Sequence, residues 1–593
     1  MAAATASLPL VETPVLIVGS SMVGMTLSAL LAKHGIPDCL TIEKHSSTAI
    51  HPRAALFHPR TMQIYRELGL YDAMKTESYK HYDEHAGLHA VETLAGRSLG
   101  TWMSDINEGL EDISPTSRLF LTQQMFEPLL REHASGHGAR LRFSTELVDF
   151  SQDAEGVTAV IKDTESGVEE RVRAKYMIAC DGNRSFVRQK LGIPMQGHGL
   201  LSHSLTIYFR ADLSRFVEGK YNGVIYINNA EVRGFFRLDK TGREGFLAVN
   251  TAGERGTEES RYPGKDITNE RASKILRAAI GADVDFEITL LSPWSAVCDV
   301  AERFQDGRIL LAGDAAHIVT PNGGFGGNTG IQDAHNLAWK LAFILQNKAR
   351  PDLISTYEAE RWPVAKKTID QVFVRYIVRT APELKTDDLE MEEEVPEPWL
   401  ELGYQYHSQA LTSTGLPDGA VTSDPATAKA RPGTMAHHVL LYATDSKAGD
   451  GGNWEASDPN PIADLLGHGF VLLCGHKALA WIRAGRTLNS EYASERPVGC
   501  WPDLGVHRVT PAVANGQFYE KYQITPHGCV LVRPDGFVAW TEKGEEGASE
   551  GNERRTDEAA ARLEAVMRKI LCFSPQRPRG AEAGAAAVAS SKL

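Results

Sequence analysis

The chain has 593 residues, of which 42% are hydrophobic and 23% are charged, and its formal net charge is −14. This length predicts roughly three or four domains of ordinary composition. The acidic balance excludes nucleic acid and anionic membranes as main partners, because both attract positive charge. The seven cysteines are scattered and include no C-x-x-C pair, so we expect neither a metal site nor a dithiol redox centre.

The two ends of the chain bear on its location. The apolar stretch 15–31 is preceded by no basic residue and is interrupted by glycine and serine, so we predict neither a signal peptide nor a membrane span. The last three residues are Ser591-Lys592-Leu593, which form a peroxisomal address when they are exposed. The small residues before them predict a flexible tail over 576–593. We therefore expect a peroxisomal protein, with a chance match and a cytosolic location as the alternative.

Residues 14–43 are predicted to form a strand, a tight turn, a helix and a second strand. The run 14–18 is typical of a buried strand, and the apolar spacing from Met22 to His34 predicts a helix. The second strand is expected at 38–43. Further along we predict a helix and alternating strands near 122–133, 140–162 and 168–180.

The middle of the chain is rich in strand signals. Residues 200–293 contain several strand-like runs around polar turns and predict one broad antiparallel sheet. The chain then returns over 307–382 to a strand, a loop and two long helices. The stretch 383–430 is rich in Glu, Pro and polar residues and is predicted to be a linker. The elements beyond it predict a separate small α/β domain over 431–575.

A glycine turn lies between the first predicted strand and helix. Gly19 permits the tight turn, and Gly24 lets the helix pack closely on the strand. The helix N-terminus presents N–H groups and a positive dipole to a pyrophosphate. Glu43, at the end of the next strand, is placed to accept hydrogen bonds from an adenosine ribose. The middle glycine of G-x-G-x-x-G is replaced by Ser21, which is either tolerated there or donates to a phosphate.

A second glycine-rich segment lies between a buried strand at 308–313 and a long helix. Asp314 is placed to accept a hydrogen bond from a ribityl hydroxyl. The glycines let backbone N–H groups approach an anion-bearing ring, and the helix N-terminus adds its dipole. The other residues that we assign to this cofactor loop are Pro321, Gly326, Gly327 and Asn328.

In their order along residues 12–382, these motifs resemble those of the class A flavoprotein monooxygenases, the p-hydroxybenzoate hydroxylase and phenol hydroxylase superfamily. The resemblance implies FAD as the cofactor and NADPH or NADH as the co-substrate. It identifies Arg53 as a phosphate contact and Gln123 as a contact of the flavin chain. A C-D-G-N-R-S segment resembles the family's DG motif, which implies that Asp181 and Arg188 serve both FAD and NAD(P)H binding.

The resemblance implies an α/β architecture: a Rossmann-like FAD-binding domain, an inserted antiparallel-sheet substrate domain and a C-terminal thioredoxin-like domain. We assign 12–195 and 295–382 to the FAD-binding domain and 196–294 to the substrate domain, and leave open whether 80–120 adds strands to the latter. Motifs within 431–575 resemble the thioredoxin-like domain of phenol and polyketide hydroxylases. Because that domain lacks C-x-x-C, we expect it to be structural or to form a homodimer contact.

The activity implied by the resemblance is hydroxylation of a phenolic, aromatic or polyketide-derived small molecule. NAD(P)H reduces FAD, O₂ adds to flavin C4a, and the resulting hydroperoxide delivers oxygen to an electron-rich ring carbon. Two alternatives stay open at this point. One is Baeyer–Villiger oxygen insertion on the same scaffold. The other is a flavin-binding protein without catalysis whose C-terminal domain mediates association.

The acid–base residue does not transfer from the family. Phenol hydroxylases carry an aspartate where this chain has Ala55. Tyr226 and Arg210 are predicted on the substrate sheet and are our candidates for binding or deprotonating a phenol, with His58 and His203 as weaker ones. A packing role is the alternative for each of them, since tyrosine on a strand usually packs.

Overall fold

The computed structural model describes residues 9–573, except for 50–55, 255–256, 258–259, 261–262, 383–384, 387–388, 413–418, 442, 445–459, 495–503, 510–515 and 546–552. Arg53, Ala55 and the terminal Ser591-Lys592-Leu593 therefore lie outside the described residues. The expectations for a phosphate contact at Arg53 and for a peroxisomal address stay predictions.

In the described ranges we number the strands and helices in chain order. The strands are β1 Leu10–Val18, β2 Leu40–Ile42, β3 Gly87–Val91, β4 Ser98–Met103, β5 Arg140–Arg142, β6 Thr145–Gln152, β7 Val157–Asp163, β8 Glu169–Ala179, β9 Met195–Ala211, β10 Asn222–Asn228, β11 Val232–Leu238, β12 Glu244–Ala252, β13 Phe286–Ala301, β14 Gln305–Asp306, β15 Ile309–Leu311, β16 His317–Ile318, β17 Leu440–Leu441, β18 Ala443–Thr444, β19 Asn460–Pro461, β20 Phe470–Cys474, β21 Leu504–Val509, β22 Cys529–Val532 and β23 Val538–Glu542. The helices are α1 Met22–Lys33, α2 Pro59–Glu67, α3 Tyr71–His81, α4 Gln123–Gly136, α5 Phe186–Lys190, α6 Ser214–Val217, α7 Asn269–Ile280, α8 Phe325–Leu345, α9 Ser355–Arg379, α10 Glu397–Glu401, α11 Leu479–Ser494, α12 Gly516–Tyr522 and α13 Glu553–Ile570.

The chain divides into two compact units. The first comprises Met1–Trp339, Arg361–Tyr404 and Val421–Thr427, and the second comprises Lys340–Glu360, Gln405–Ala420 and Ala428–Leu593. This division does not follow the predicted limits, because residues 340–360 fall within the second unit. Over the described residues, no helix is both long and apolar enough to cross a membrane, and no group of three or more His, Cys, Asp or Glu side chains is arranged to hold a metal ion.

The first sheet of the first unit has the predicted Rossmann-like order. Its main path runs β14-β15-β8-β1-β2-β5, and β6 and β7 continue from β8. β1 pairs in parallel with both β2 and β8, and α1 forms the crossover that a parallel pair requires. The segment 15–18 of β1 is buried, as expected for a central strand covered on both faces. The α/β fold class is thereby confirmed.

The second sheet of this unit has the order β16-β13-β9-β12-β11-β10-β3-β4. It therefore includes two strands from within 80–120. The strands predicted within 200–293 pair antiparallel with one another, as expected, and β3, from within 80–120, joins β10 in parallel. One face packs on α7 through apolar side chains such as Ile207, Phe236 and Leu276. Because successive residues of a strand point to opposite faces, their sequence neighbours line the other face.

The described part of 383–430 is not an exposed linker. Glu401, in α10, is 1% exposed and accepts hydrogen bonds from Arg118 Nε at 3.0 Å and Nη2 at 2.7 Å. Glu394 and Glu397 both pair with Arg379 of α9. Glutamates of the predicted linker thus pair with buried or partly buried arginines.

The second unit contains a five-stranded sheet of order β18-β21-β20-β22-β23. β20 pairs in parallel with β21 and antiparallel with β22, and Phe518 and Tyr522 of α12 pack with the sheet in one core. This α/β arrangement confirms the thioredoxin-like domain. Cys474 and Cys529 lie opposite each other in β20 and β22, and burial raises the pKa of both thiols well above its usual value.

Candidate functional site

A cavity of about 2660 Å³ lies in the first unit. It is lined by three parts of the fold: the turn between β1 and α1 with the ends of β2 and β8, the loop between β16 and α8, and one face of the second sheet. Both predicted glycine motifs therefore face the same cavity as the predicted substrate sheet.

The glycine turn after β1 is held by close backbone contacts. Gly19 has φ +99° and donates its N–H to Ile42 O at 2.8 Å. A Cβ at Gly24 would lie 1.9 Å from the carbonyl oxygen of Gly19, so only glycine lets α1 approach the turn this closely. Glu43 lines the cavity beside the turn and accepts a hydrogen bond from Ser20 N at 3.0 Å.

Ser21 has a role that the sequence did not reveal. Its hydroxyl donates to Glu127 Oε1 at 2.8 Å and accepts from Gln123 Nε2 at 2.9 Å. The other Glu127 oxygen accepts from Ala49 N at 2.8 Å. Burial raises the pKa of Glu127 despite the donors around it. The hydroxyl of Ser21 thus ties the start of α1 to α4 and to the segment that leads towards residue 50.

Replacing Ser21 with Gly is expected to lower the free energy of unfolding by about 1.5 kcal/mol, because a buried carboxylate loses a donor. Denaturant unfolding measures this loss. A double-mutant cycle with Glu127→Met provides the control, because methionine removes the acceptor and contacting residues are coupled. Strictly additive effects of the two substitutions would contradict the Ser21–Glu127 hydrogen bond.

The loop between β15 and α8 turns at glycines with positive φ, and one of its ends is fixed by side-chain hydrogen bonds. Gly313 has φ +61° at the start of the predicted Gly-Asp motif, and Asp314, Pro321, Gly326 and Gly327 all line the cavity. The side chain of Asn328 is used within the protein. It accepts from His58 N at 2.9 Å and donates to Leu56 O at 2.9 Å. Asn328 also lines the cavity, beside the first turn of α8, where N–H groups lack intrahelical partners.

A buried carboxylate stands behind this loop. Asp333 is 0% exposed and accepts hydrogen bonds from Gly313 N at 3.1 Å, His317 Nε2 at 2.7 Å and Arg361 Nε at 2.7 Å. Burial alone would raise its pKa, but the charges and hydrogen bonds of His317 and Arg361 outweigh burial and lower it. Asp333 thus connects the Gly-Asp turn to α8 and α9.

The two residues of the predicted DG motif differ in position. Asp181 lines the cavity, and its Oδ1 is buried without a hydrogen-bond partner among the described residues. Burial raises the pKa of this carboxyl. Arg188 is buried and donates to the carbonyl oxygens of Ala315 at 2.9 Å and Asn183 at 3.0 Å, and it does not line the cavity. Arg188 holds two backbone segments in place, and its contact with the cofactor stays a prediction.

The candidate catalytic residues are only partly brought together. Tyr226 lines the cavity, with its ring centroid 4.3 Å from that of Trp102, and His203 lines it too. Arg210 does not, because it lies towards the end of β9 and pairs with Glu244 at 3.0 Å, both side chains being more than 60% exposed. The structure thus places Arg210 away from the cavity wall, and its role towards a substrate stays a prediction. His58 is buried and bonds the carbonyl of Gly323 at 2.8 Å, which makes it a support of the loop.

Tyr226 is unsuited to act as a base. Burial raises its pKa to about 12, although Arg379 nearby opposes the shift. At neutral pH the phenol group is therefore protonated and available as a hydrogen-bond donor.

The residues that are present fit FAD. The cavity joins a glycine turn at a helix N-terminus, which suits a pyrophosphate, to a second glycine loop at the N-terminus of α8. Glu43, Asp314 and the unpartnered Oδ1 of Asp181 are acceptors along its wall, where hydroxyl groups of a ribose or ribityl chain need partners. The fold and this donor set define a flavin-dinucleotide-binding protein.

Comparison with known proteins gives the family. Residues 12–372 match the family model described as FAD binding domain, and residues 454–571 match the aromatic-ring hydroxylase C-terminal model. The chain belongs to the FAD-dependent aromatic-ring hydroxylases.

Similar proteins extend over almost the whole chain. A 4-methyl-5-nitrocatechol 5-monooxygenase of Burkholderia is 42% identical over 569 residues, which cover 95% of this chain and 98% of that protein. A tetracenomycin A2 monooxygenase-dioxygenase of Streptomyces glaucescens is 32% identical, with coverage of 96% and 98%. The solved ternary complex of aklavinone-11 hydroxylase with FAD and aklavinone has a TM-score of 0.82 at 31% identity and covers 94% of this chain and 99% of its own. The two named organisms are bacteria, so these relatives give no support to the peroxisomal prediction.

Two functional positions escaped the sequence interpretation. Glu127 lies four residues after Gln123 on α4, a spacing that places both on one helix face. Asp333 lies within α8, among polar residues such as Gln332 and Asn336. The spacing from Gln123 is a local signal for Glu127, whereas nothing in the sequence around Asp333 marks it as a buried partner of Arg361.

Proposed function

We propose that this protein uses NAD(P)H and O₂ to hydroxylate a phenolic aromatic ring. The observation that carries the proposal is the continuity of one cavity from the glycine turn, past the Gly-Asp loop, to a wall of aromatic side chains on the second sheet. A ligand bound against that wall shares its cavity with the predicted flavin loop. Baeyer–Villiger insertion has no specific observation in its favour.

The site residues have separable roles in this proposal. The turn at Gly19 and Gly24 receives the pyrophosphate, Glu43 the adenosine ribose, and Asp181 and Asp314 the ribityl chain. The loop from Pro321 to Asn328 receives the flavin ring. When bound and reduced, FAD supplies the oxygen-activating chemistry, and the protein orients the substrate and excludes water. Tyr226 donates a hydrogen bond to the substrate oxygen.

The aromatic wall suits a flat, hydroxylated ring. Its lining side chains include Tyr208, Tyr226, Phe235, Phe246 and Trp294. Aromatic rings favour offset and edge contacts with another ring, while the polar tips of the tyrosines serve its oxygen substituents. The names of the similar proteins refer to a nitrocatechol and to tetracenomycin and aklavinone. We therefore propose substituted phenols, from single rings to fused polyketide rings, as the substrate class.

The purified protein is expected to be yellow, to release FAD rather than FMN, and to oxidise NADPH or NADH faster when a suitable phenol is added. Absorbance of the released flavin and of the nicotinamide, with the product mass, measures each step. A product that gains one oxygen on a ring carbon supports hydroxylation, and insertion beside a carbonyl would indicate Baeyer–Villiger chemistry. If no phenol accelerates the reduction of the bound FAD, the proposal is contradicted. Homodimer formation stays a separate prediction for the C-terminal domain.

A further inference from the structure

The peptide bond between Gly323 and Gly324 lies in the loop that we assign to the flavin ring, and two hydrogen bonds fix it. Its carbonyl oxygen is 2.8 Å from His58 Nε2, and its N–H donates to Pro321 O at 3.0 Å. Both glycines line the cavity, whereas His58 does not. The carbonyl is therefore turned towards the protein behind the loop rather than towards the cavity.

The glycines themselves do not impose this orientation of the peptide. Gly323 has φ +76° and ψ −2°, and Gly324 has φ +73°. Because glycine has no Cβ, it adopts positive and negative φ at similar cost, and a half-turn of the peptide would leave both residues in regions that glycine allows. The flipped peptide would point its carbonyl oxygen away from His58 and towards the cavity. The observed orientation thus depends on the hydrogen bonds that the peptide makes.

His58 is held so that it donates to this carbonyl. The residue is 1% exposed, its backbone N–H donates to Asn328 Oδ1 at 2.9 Å, and its ring packs edge-to-face on Phe325 with the centroids 4.7 Å apart. Burial lowers the pKa of His58 although Glu401 opposes the shift, so the ring is neutral at neutral pH. Two oxygens face Nε2, that of Gly323 and, at 3.6 Å, Oε1 of Glu401. The hydrogen of the neutral ring therefore resides on Nε2.

Glu401 is fixed in turn by Arg118. The carboxylate accepts from Arg118 Nε at 3.0 Å and from Nη2 at 2.7 Å, and both side chains are buried. The two charges cancel, so Glu401 orients the N–H of His58 without drawing a second proton onto the ring. Arg118 and Glu401 thus act on the loop through His58.

We infer that His58 is a positioning residue that keeps the carbonyl of Gly323 turned away from the flavin ring and thereby favours the reduced cofactor. The inference rests on the proposed function in one respect, the placement of the flavin ring against this loop. Reduction adds negative charge to the ring, and a carbonyl oxygen is the negative end of the peptide dipole. If that oxygen were turned towards the ring, it would repel the added charge. Loss of the His58 donor should therefore shift the flavin couple towards its oxidised form.

The test measures the reduction potential of the full-length FAD-loaded protein without any phenol, by equilibration with a dye of known potential. His58→Leu removes the donor and should shift the equilibrium about tenfold towards oxidised flavin, since one hydrogen bond moves an equilibrium by up to this factor. For a two-electron couple this is a potential lower by about 30 mV. His58→Gln should restore most of the wild-type potential, because its amide N–H can donate to the same carbonyl. A role of His58 in folding alone would change stability and flavin content without separating these two variants by potential.

Gly324→Ala is a second variant, which leaves His58 in place. Alanine at φ +73° is disfavoured, whereas the flipped peptide gives this residue a negative φ. The substitution should therefore also lower the flavin potential, and it decides the matter if His58→Leu does not retain FAD. His85→Leu is the matched control, because His85 is an exposed histidine that contacts Asp105, and it should leave the potential unchanged.

Equal potentials in the wild type and His58→Leu would overturn the inference, and so would a potential of His58→Gln as low as that of His58→Leu. An unchanged potential in Gly324→Ala would overturn it as well. Because no phenol is present, a lowered potential in His58→Leu with recovery in His58→Gln supports the inference even if no phenol is hydroxylated. Turnover of phenols with unchanged potentials would leave the proposed function standing and remove the inference alone.

Discussion

Replacing Asp333 with Asn is expected to lower the free energy of unfolding by about 3–5 kcal/mol, because a buried ion pair with Arg361 would be broken from one side. Arg361 is 0% exposed, so water does not replace the lost carboxylate. An amide also cannot accept from Gly313 N, His317 and Arg361 together, since one of its two polar atoms is a donor.

Asp333→Asn should also weaken FAD binding, because Asp333 accepts a hydrogen bond from Gly313 N at the start of the Gly-Asp turn. Denaturant unfolding and flavin fluorescence measure the two effects separately. Glu244→Gln is the matched control, because it removes a carboxylate from an exposed arginine pair, where such pairs contribute about 0–1 kcal/mol. If Asp333→Asn lowers the free energy of unfolding by less than about 1 kcal/mol, the charge of Asp333 does not hold Gly313, His317 and Arg361 together.

Gly24→Ala is expected to abolish stable FAD binding and to cost about 1–3 kcal/mol or more of folding stability. The added Cβ would lie 1.9 Å from the carbonyl oxygen of Gly19 and 3.3 Å from Ile17 Cγ2. The first of these atoms is backbone, so no side-chain rotation relieves the clash. The turn and α1 must move apart, and the N–H groups that face the predicted pyrophosphate move with them.

Gly136→Ala is the control for this substitution. Gly136 ends α4, and a Cβ there would meet nothing within 4 Å. Alanine is favoured over glycine in helices by roughly 1 kcal/mol, so this variant should be at least as stable as the wild type. Flavin content after purification and the unfolding midpoint compare the two. Full flavin content in Gly24→Ala would refute the close packing at the turn.

Helices and strands could be predicted from the sequence because the spacing of their apolar residues is visible within a short stretch of chain. The helix predicted from Met22 to His34 is α1, Met22–Lys33, and the strand predicted at 38–43 contains β2, Leu40–Ile42. The composition of 383–430 predicts a linker but does not reveal the arginine partners of its glutamates, because charge alone does not show whether a partner exists. Glu394 and Glu397 pair with Arg379 of α9, 15 and 18 residues away along the chain, whereas Glu401 pairs with Arg118, 283 residues away.

In the candidate site, too, the sequence does not show what surrounds a charged side chain. Arg210 and Arg237 stand on strands of one sheet with their side chains on the same face, as the shared neighbours Tyr208 and Phe246 require. One lies at the exposed end beside Glu244, and the other lies between two aromatic rings. Strand alternation predicts the face of a side chain, but only the register and the surrounding loops decide how deeply it is buried.

The second sheet also has a consequence for how this protein changes over evolutionary time. Alternate residues of its strands face opposite sides: one set forms the apolar core against α7, and the other set forms the cavity wall. Substitutions in the cavity set alter the shape and charge that a ligand meets while leaving the α7 core packed. New ligand preferences can therefore arise by point mutation along one face without passing through poorly folded ancestors.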